Sequence, residues 1–227
     1  MRRIVNANVK NMRDLGGYPT KNGKETKFGS FIRSNLPRNM SNEEIDRLIN
    51  MGLSTVIDLR TESEAKRRPN ALNIRDFDYF NISISGGFPE KEEDIPSSYM
   101  DMVLNRDKMK LVFEAMINSQ GMVLFNCTAG KDRTGVVAML LLKLAGVYDD
   151  DILADYEVSY TYIRDEIRLM HINNPDLPAF FGGSKMENME KFLNLFNSRF
   201  ERIEDYFDYL GISSDGTNVL RDKLVCD

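Results

Sequence analysis

The sequence predicts an α/β protein: a central, mostly parallel sheet flanked by helices, followed by a helical C-terminal third. Three observations carry that prediction. Short β-branched or apolar runs alternate with helix-period segments through the first two-thirds of the chain. The run at 121–126 is apolar almost throughout, as suits a strand buried on both faces. Beyond Asp149 only helical periodicity remains.

Taken in order, residues 28–34 read as the first strand. Ser41 with Glu44 three residues later forms a capping box, opening a helix through Ile45, Leu48 and Ile49 that stops at Gly52. Residues 55–59 form a β-branched strand ending near Asp58. Lys66, Arg67 and Arg68, just before Pro69, mark either the solvated end of a short helix or a basic surface. Residues 76–84 make a further strand with Phe77, Tyr79 and Ile82 on a half-buried face. The glycines, prolines and charges of 85–96 describe a loop, either a lid or a solvated connection.

Helical periodicity over 97–119 leads into the strand at 121–126, and 134–145 reads as a mostly buried helix. The triple aspartate at 149–151 suits a helix amino terminus, continuing through Tyr156; another run extends from Tyr160 toward Met170, and Asn173-Asn174-Pro175 breaks it. Residues 186–196, 200–210 and 218–225 are later helices. Phe192, Phe196, Phe200, Tyr206 and Phe207 form an aromatic stripe that reads as core packing. The whole, residues 1–227, is expected to be one domain, since 42% hydrophobic residues can bury one sizeable core and no linker or repeat interrupts the chain.

Composition excludes several functional classes. A net charge of −5 gives no reason to expect nucleic acid. His171 is the one histidine, so histidine-rich metal sites and a serine–histidine triad are not expected, and no cofactor or metal is implied. The two cysteines, Cys127 and Cys226, suggest no disulfide framework. No stretch approaches the ~20 apolar residues that span a bilayer. Residues 4–10 are too short and polar for a signal peptide, so a cytoplasmic protein is expected, although one trimmed of a leader would read the same.

The chemistry concentrates at Cys127-Thr128-Ala129-Gly130-Lys131-Asp132-Arg133-Thr134-Gly135. A thiol at a strand's carboxyl end precedes a helix amino terminus, where unpaired N–H groups and the helix dipole favour an anion. Lowering a thiol from its free pKa of about 8.5 to roughly 5 requires about 5 kcal/mol, whereas a helix terminus supplies at most ~2. Arg133 and the loop N–H groups must therefore contribute. A planar guanidinium can also grip two phosphoryl oxygens, and the Thr134 hydroxyl can donate to sulfur and ease its later departure. The nucleotide-binding phosphate loop is rejected, because Phe125 stands where its first glycine belongs and Asp132 where its Ser or Thr belongs.

This stretch resembles the signature loop of cysteine-dependent phosphatases, C-x5-R-[ST], and its A-G-K-D-R-T-G form is similar to that of the bacterial atypical tyrosine/serine phosphatases with dual protein and phosphoinositide activity. Asn11-Met12-Arg13-Asp14-Leu15-Gly16-Gly17-Tyr18, Gly29 to Ser34 and Thr55 to Arg60 resemble further signatures of that subgroup. The resemblance implies a cysteine-phosphatase-like fold and phosphomonoester hydrolysis through a phosphocysteine. It gives Cys127 as nucleophile, Arg133 and the loop from Thr128 through Ala129, Gly130 and Lys131 as the substrate cradle, and Asp132 as the proton-transferring residue. Asp58 is either a second acid or the ion-pair partner of Arg60 or Arg13. Lys131 is either solvated or a rim cation that contacts substrate. A Trp-Pro-Asp acid loop is impossible without tryptophan. The implied substrates are a phosphorylated protein or a phosphoinositide.

One departure from the subgroup matters. Asn126 holds the place of its usual histidine, so the thiolate is expected to lose some stabilisation while loop geometry survives. A phosphate-binding pseudophosphatase and a rhodanese-like sulfur carrier stay open as alternatives, the Arg133-Thr134 pair favouring phosphate over sulfur transfer.

Overall fold

The computed structural model describes residues 2–86 and 89–226. Its sheet has five strands among the described residues: β1 (Arg13–Asp14), β2 (Phe31–Ser34), β3 (Leu53–Asp58), β4 (Asp78–Asn81) and β5 (Met122–Asn126), in the order β1-β2-β5-β3-β4. β2, β5, β3 and β4 run parallel, and β1 alone pairs antiparallel, with β2. β5 occupies the centre and is buried along its whole length. Its side chains alternate between two apolar clusters, Val123 and Phe125 on one face and Met122 and Leu124 on the other.

The two faces are covered unequally. One carries α3 (Ile95–Leu104), α4 (Arg106–Asn118), α5 (Asp132–Leu144), α6 (Asp149–Asn173), α7 (Met186–Arg199), α8 (Ile203–Leu210) and α9 (Ser214–Leu224), whose side chains build the larger cluster. The other is closed by α1 (Asn42–Asn50) and by the non-helical Ile4, Val9, Met12, Leu72 and Phe77. A small helix, α2 (Glu62–Arg67), follows β3.

Local signals account for several of these elements. Ser41 accepts from the Glu44 N–H while Glu44 reaches back to the Ser41 N–H, which is the expected box at the start of α1, and Gly52 turns the chain at a φ of 92°. Lys66 and Arg67 end α2, as the basic run implies. Phe192, Phe196, Phe200, Tyr206 and Phe207 pack edge-to-face or tilted in the core.

Boundaries differ where packing overrides periodicity. The helical run at 97–119 is two helices, broken at Asn105, while the two runs after Asp149 are one continuous α6. The strand expected at 76–84 shrinks to β4, an edge strand with mostly exposed side chains, and the first strand starts at Phe31 because the chain turns at Phe28 and Gly29, the glycine at a φ of 76°. β1 has no signal in a two-residue stretch. Of the loop at 85–96, Gly87 and Phe88 lie outside the described residues, and Ile95 and Pro96 already belong to α3.

Candidate active site

β5 delivers Cys127 to the carboxyl edge of the sheet, between the ends of β2 and β3, where the thiol is 2% exposed. The loop then curls over the end of β2 and enters α5 at Asp132. Gly130 makes the tight approach possible. It holds a φ of 68°, and a Cβ there would meet the Asn35 nitrogen at 2.4 Å. The N–H groups of residues 128–131 donate to no protein acceptor among the described residues, and those of Asp132, Arg133 and Thr134 at the start of α5 have no intrahelical partner. Together with the dipole of a 13-residue helix they form an anion cradle.

Arg133 stands at the mouth of this cradle with its fork on Glu64. Nη1 donates to Oε2 at 2.7 Å and Nη2 to Oε1 at 2.9 Å, while its Nε takes no part in the pair. The Thr128 hydroxyl donates to the same carboxylate at 3.0 Å. Glu64 is itself placed by a second capping box: the Glu64 N–H donates to Thr61 Oγ1, and the Thr61 N–H donates to Glu64 Oε2 at 2.9 Å. The hydrogen bond from Arg133 outweighs burial and holds the Glu64 carboxyl well below the usual carboxylate range. Burial opposes the charge on Arg133, but the hydrogen bonds to Glu64 and the other acidic groups around it more than offset it.

Asp132 is held by two donors. The Tyr99 hydroxyl donates to its Oδ1, and Lys131 Nζ lies 3.2 Å from the same oxygen. Tyr99 also bonds the Tyr156 hydroxyl at 2.8 Å and packs edge-on against Phe192, so the aromatic core reaches the carboxylate directly. Burial, reinforced by Asp132, keeps the Tyr99 phenol protonated far above its ordinary range. The Asp132 side chain is 38% exposed, so it opens outward from these contacts. Thr134 is fully buried in the first turn of α5, and its hydroxyl has no partner among the described residues. A donor orphaned at that position is suited to a sulfur or phosphoryl acceptor.

One expectation needs correction in placement, and one set of alternatives narrows. Lys131 is neither solvated nor a rim cation: it is 5% exposed, and its Nζ donates to the Gly183 carbonyl at 2.6 Å besides meeting Asp132. Asp58 takes the ion-pair role with Arg60, not with Arg13: it is fully buried, receives Arg60 Nε and Nη2, and also accepts from the Tyr79 hydroxyl at 2.9 Å. Arg13 pairs with Asp155 instead. His171 Nε2 lies 2.8 Å from the Phe181 carbonyl oxygen, in keeping with a structural role.

Asn126, in the place of the usual histidine, is fully buried and accepts from Asn70 Nδ2 at 2.9 Å. Asn70 also approaches Asp58 at 3.4 Å, so an amide pair links the residue before the nucleophile to the Asp58–Arg60 pair. Sequence reasoning missed Asn70, Glu64, Tyr99 and Tyr156. Thr61-x-x-Glu64 has the same spacing as Ser41-x-x-Glu44 and was a legible helix start; nothing local marks its carboxylate as the partner of Arg133, and Asn70 has no signal at all.

Comparison with known proteins bears on this geometry. Residues 4–226 match a family model described as the tyrosine phosphatase family. A 148-residue stretch is 34% identical to a tyrosine-protein phosphatase of Nostoc commune, covering 60% of this chain and 50% of that protein. A Cupriavidus necator protein provisionally named a tyrosine-protein phosphatase is 32% identical over 163 residues, 65% of this chain and 59% of that one. The match therefore spans about half to three-fifths of these relatives' length. Among solved structures, P. aeruginosa TpbA aligns at a TM-score of 0.39 and 17% identity over 76% of this chain and 96% of that one. The core catalytic domain of S. cerevisiae SIW14, a PP-IP phosphatase crystallised with citrate, aligns at 0.38 and 18% over 70% and 96%.

Proposed function

The chain belongs to the tyrosine phosphatase family, and from that premise we propose that it hydrolyses phosphomonoesters, phosphotyrosine in proteins first among them, through a phosphocysteine intermediate. The observation that carries the reading is the loop itself: a buried thiol at a central strand end, unpaired N–H groups after it, and an arginine and a hydroxyl in the first helical turn.

In the first step the Cys127 sulfur attacks phosphorus in line, the bond to the leaving oxygen breaks, and Asp132 gives that oxygen its proton. Arg133 and the N–H groups of residues 128–133 hold the equatorial oxygens as charge shifts. In the second step water attacks phosphorus, Asp132 takes a proton from it, the P–S bond breaks, and Thr134 donates to the departing thiolate. Lys131 acts on Asp132 through their 3.2 Å contact rather than on substrate through its side chain. Asp58 serves to hold Arg60 and, through Asn70, Asn126.

A buried Lys131 adds no cation to the rim, so a phosphoprotein is favoured over a polyphosphorylated inositol headgroup. Residues 1–227 are taken as one phosphatase domain, because both apolar clusters are built on the same sheet. No helix among the described residues is long and apolar enough to cross a membrane. A reducing compartment such as the cytoplasm would keep Cys127 active. The test is a panel of phosphotyrosyl and phosphoseryl peptides and inositol phosphates, with chelator present, comparing the parent with Cys127→Ser. Turnover lost in the variant is expected; equal turnover in both overturns the mechanism.

A further inference from the structure

A loop that binds an anion through its N–H groups must turn its carbonyls elsewhere, and buried carbonyls need donors. In a planar trans peptide the C=O of one residue and the N–H of the next point in opposite directions. Whatever grips the carbonyl therefore aims the following N–H.

The carbonyls of this loop are gripped from behind. The Leu36 N–H donates to the Thr128 carbonyl at 3.2 Å. Asn11 Nδ2 donates to Ala129 at 3.0 Å and to Gly130 at 3.1 Å. Arg33 Nη2 donates to Gly130 at 2.9 Å and approaches Lys131 at 3.4 Å. By the peptide geometry these contacts aim the N–H groups of Ala129, Gly130, Lys131 and Asp132 away from the rear, toward the cradle.

The gripping side chains are themselves fixed. Asn11 is fully buried, and its Oδ1 accepts from Arg13 Nη1, which fixes its amide with the nitrogen toward the loop. Arg13 Nε and Arg33 Nη1 both donate to the Asp155 carboxylate, which also accepts from the Tyr18 hydroxyl at 2.8 Å. Two guanidinium groups share one carboxylate, so the cluster leaves one positive charge buried directly behind an anion site. Arg33 Nε is buried without a partner among the described residues, a cost that packing alone would not select.

We infer that Asn11 and Arg33, held by Arg13 and Asp155, are positioning residues that set the anion cradle before substrate arrives, holding the carbonyls of residues 129–131 outward so that the intervening N–H groups face the phosphoryl group. The inference rests on the phosphatase reading and extends it to residues a hundred or more positions from Arg133 in sequence.

The test measures tungstate binding by calorimetry, the KM for p-nitrophenyl phosphate, and the melting temperature without oxyanion, in the parent, Asn11→Ala and Arg33→Lys. Both variants are expected to bind tungstate at least tenfold more weakly, with KM rising in step. A merely structural role would lower the melting temperature and leave the tungstate dissociation constant within twofold of the parent, and that result overturns the inference. A parent that binds no tungstate refutes the phosphatase reading and the cradle together, whereas variants that bind as well as a binding parent refute the positioning role alone. Should neither variant fold, backbone 15N order parameters of residues 128–132 in the oxyanion-free parent decide: values near 0.85 support a preset loop and values below about 0.6 overturn it.

Discussion

Two guanidinium–carboxylate clusters brace the same loop from opposite sides, and they differ in kind. In front, Arg133 and Glu64 meet with side chains 18% and 25% exposed. Behind, Arg13 and Arg33 hold Asp155 with every side chain 3% exposed or less. Water reaches the front pair, so its net energy is modest and its partners can be exchanged. Opening the rear pair would strand a charge in the interior, at about 3–5 kcal/mol. The loop therefore has a front whose partly solvated pair can adjust as a phosphoryl group enters and a rear that stays closed.

The largest effect should come from breaking the front at its arginine. Arg133→Ala removes the fork that stabilises the transferring phosphoryl, and kcat/KM should fall about a thousandfold or more, ~4 kcal/mol. The unfolding free energy should change by less than about 1 kcal/mol, because the lost pair is partly solvated. Steady-state kinetics with urea melts on the same preparation test both halves. A stability loss as large as that of the rear variant below would remove the distinction between the two sides.

Asp155→Asn probes the rear and differs in profile, because it should cost stability as well as cradle binding, with stability lowered by about 3 kcal/mol at pH 7. Burial opposes the Asp155 charge, but Arg13 and Arg33 outweigh it and hold the carboxyl well below its ordinary value of 3.8. A group depressed in this way contributes stability that is complete above the unfolded-state pKa and is lost as pH falls toward the folded-state value. The gap between parent and Asp155→Asn should therefore be widest near neutrality and shrink below about pH 4. Urea midpoints across that range check it; a gap that stays constant into acid would show that the carboxylate's charge is not what matters.

The front was legible in the sequence in a way the rear was not. Cys127, Asp132, Arg133 and Thr134 stand within eight residues on one strand–loop–helix unit, so local spacing alone arranges their chemistry. The central strand and α1 were legible for the same reason, through a period or a cap. Glu64, Tyr99 and Asp155 come to the loop from α2, α3 and α6, and only the folding of those helices onto the sheet brings them there. Lys131 shows the limit most plainly: its place in the loop suggested a rim charge, but Gly183, 52 residues on, captures its amino group. Such pairings depend on tertiary distance, which a single sequence does not state.

A smaller effect should follow from Glu64→Gln, and its sign is informative. The Glu64 pair engages Nη1 and Nη2 and leaves Nε, so the carboxylate orients the guanidinium for substrate more than it blocks it. The variant should bind tungstate more weakly and lose about tenfold in kcat/KM, ~1.4 kcal/mol. Tighter tungstate binding would instead make Glu64 an internal competitor for the phosphoryl site, and the front pair would be a plug rather than a brace.

The finest division between front and scaffold uses two capping boxes of one design. Ser41 caps α1 and Thr61 caps α2, each accepting from the N–H three residues on, each repaid by a glutamate that reaches back to it. Replacing either with alanine should cost about 1 kcal/mol of stability. Only the α2 glutamate goes on to hold Arg133 and Thr128; the α1 glutamate's other partner is the Ala7 N–H. Thr61→Ala also removes a hydroxyl that donates to Glu64 Oε2 at 3.0 Å, which loosens the same carboxylate oxygen that accepts from Arg133 Nη1. KM for p-nitrophenyl phosphate should therefore rise about two- to threefold in Thr61→Ala, ~0.5 kcal/mol, and stay at the parent value in Ser41→Ala. Because the two substitutions are matched in chemistry and in stability cost, a rise in both would assign the effect to general loosening, and a rise in Thr61→Ala alone assigns it to the front brace.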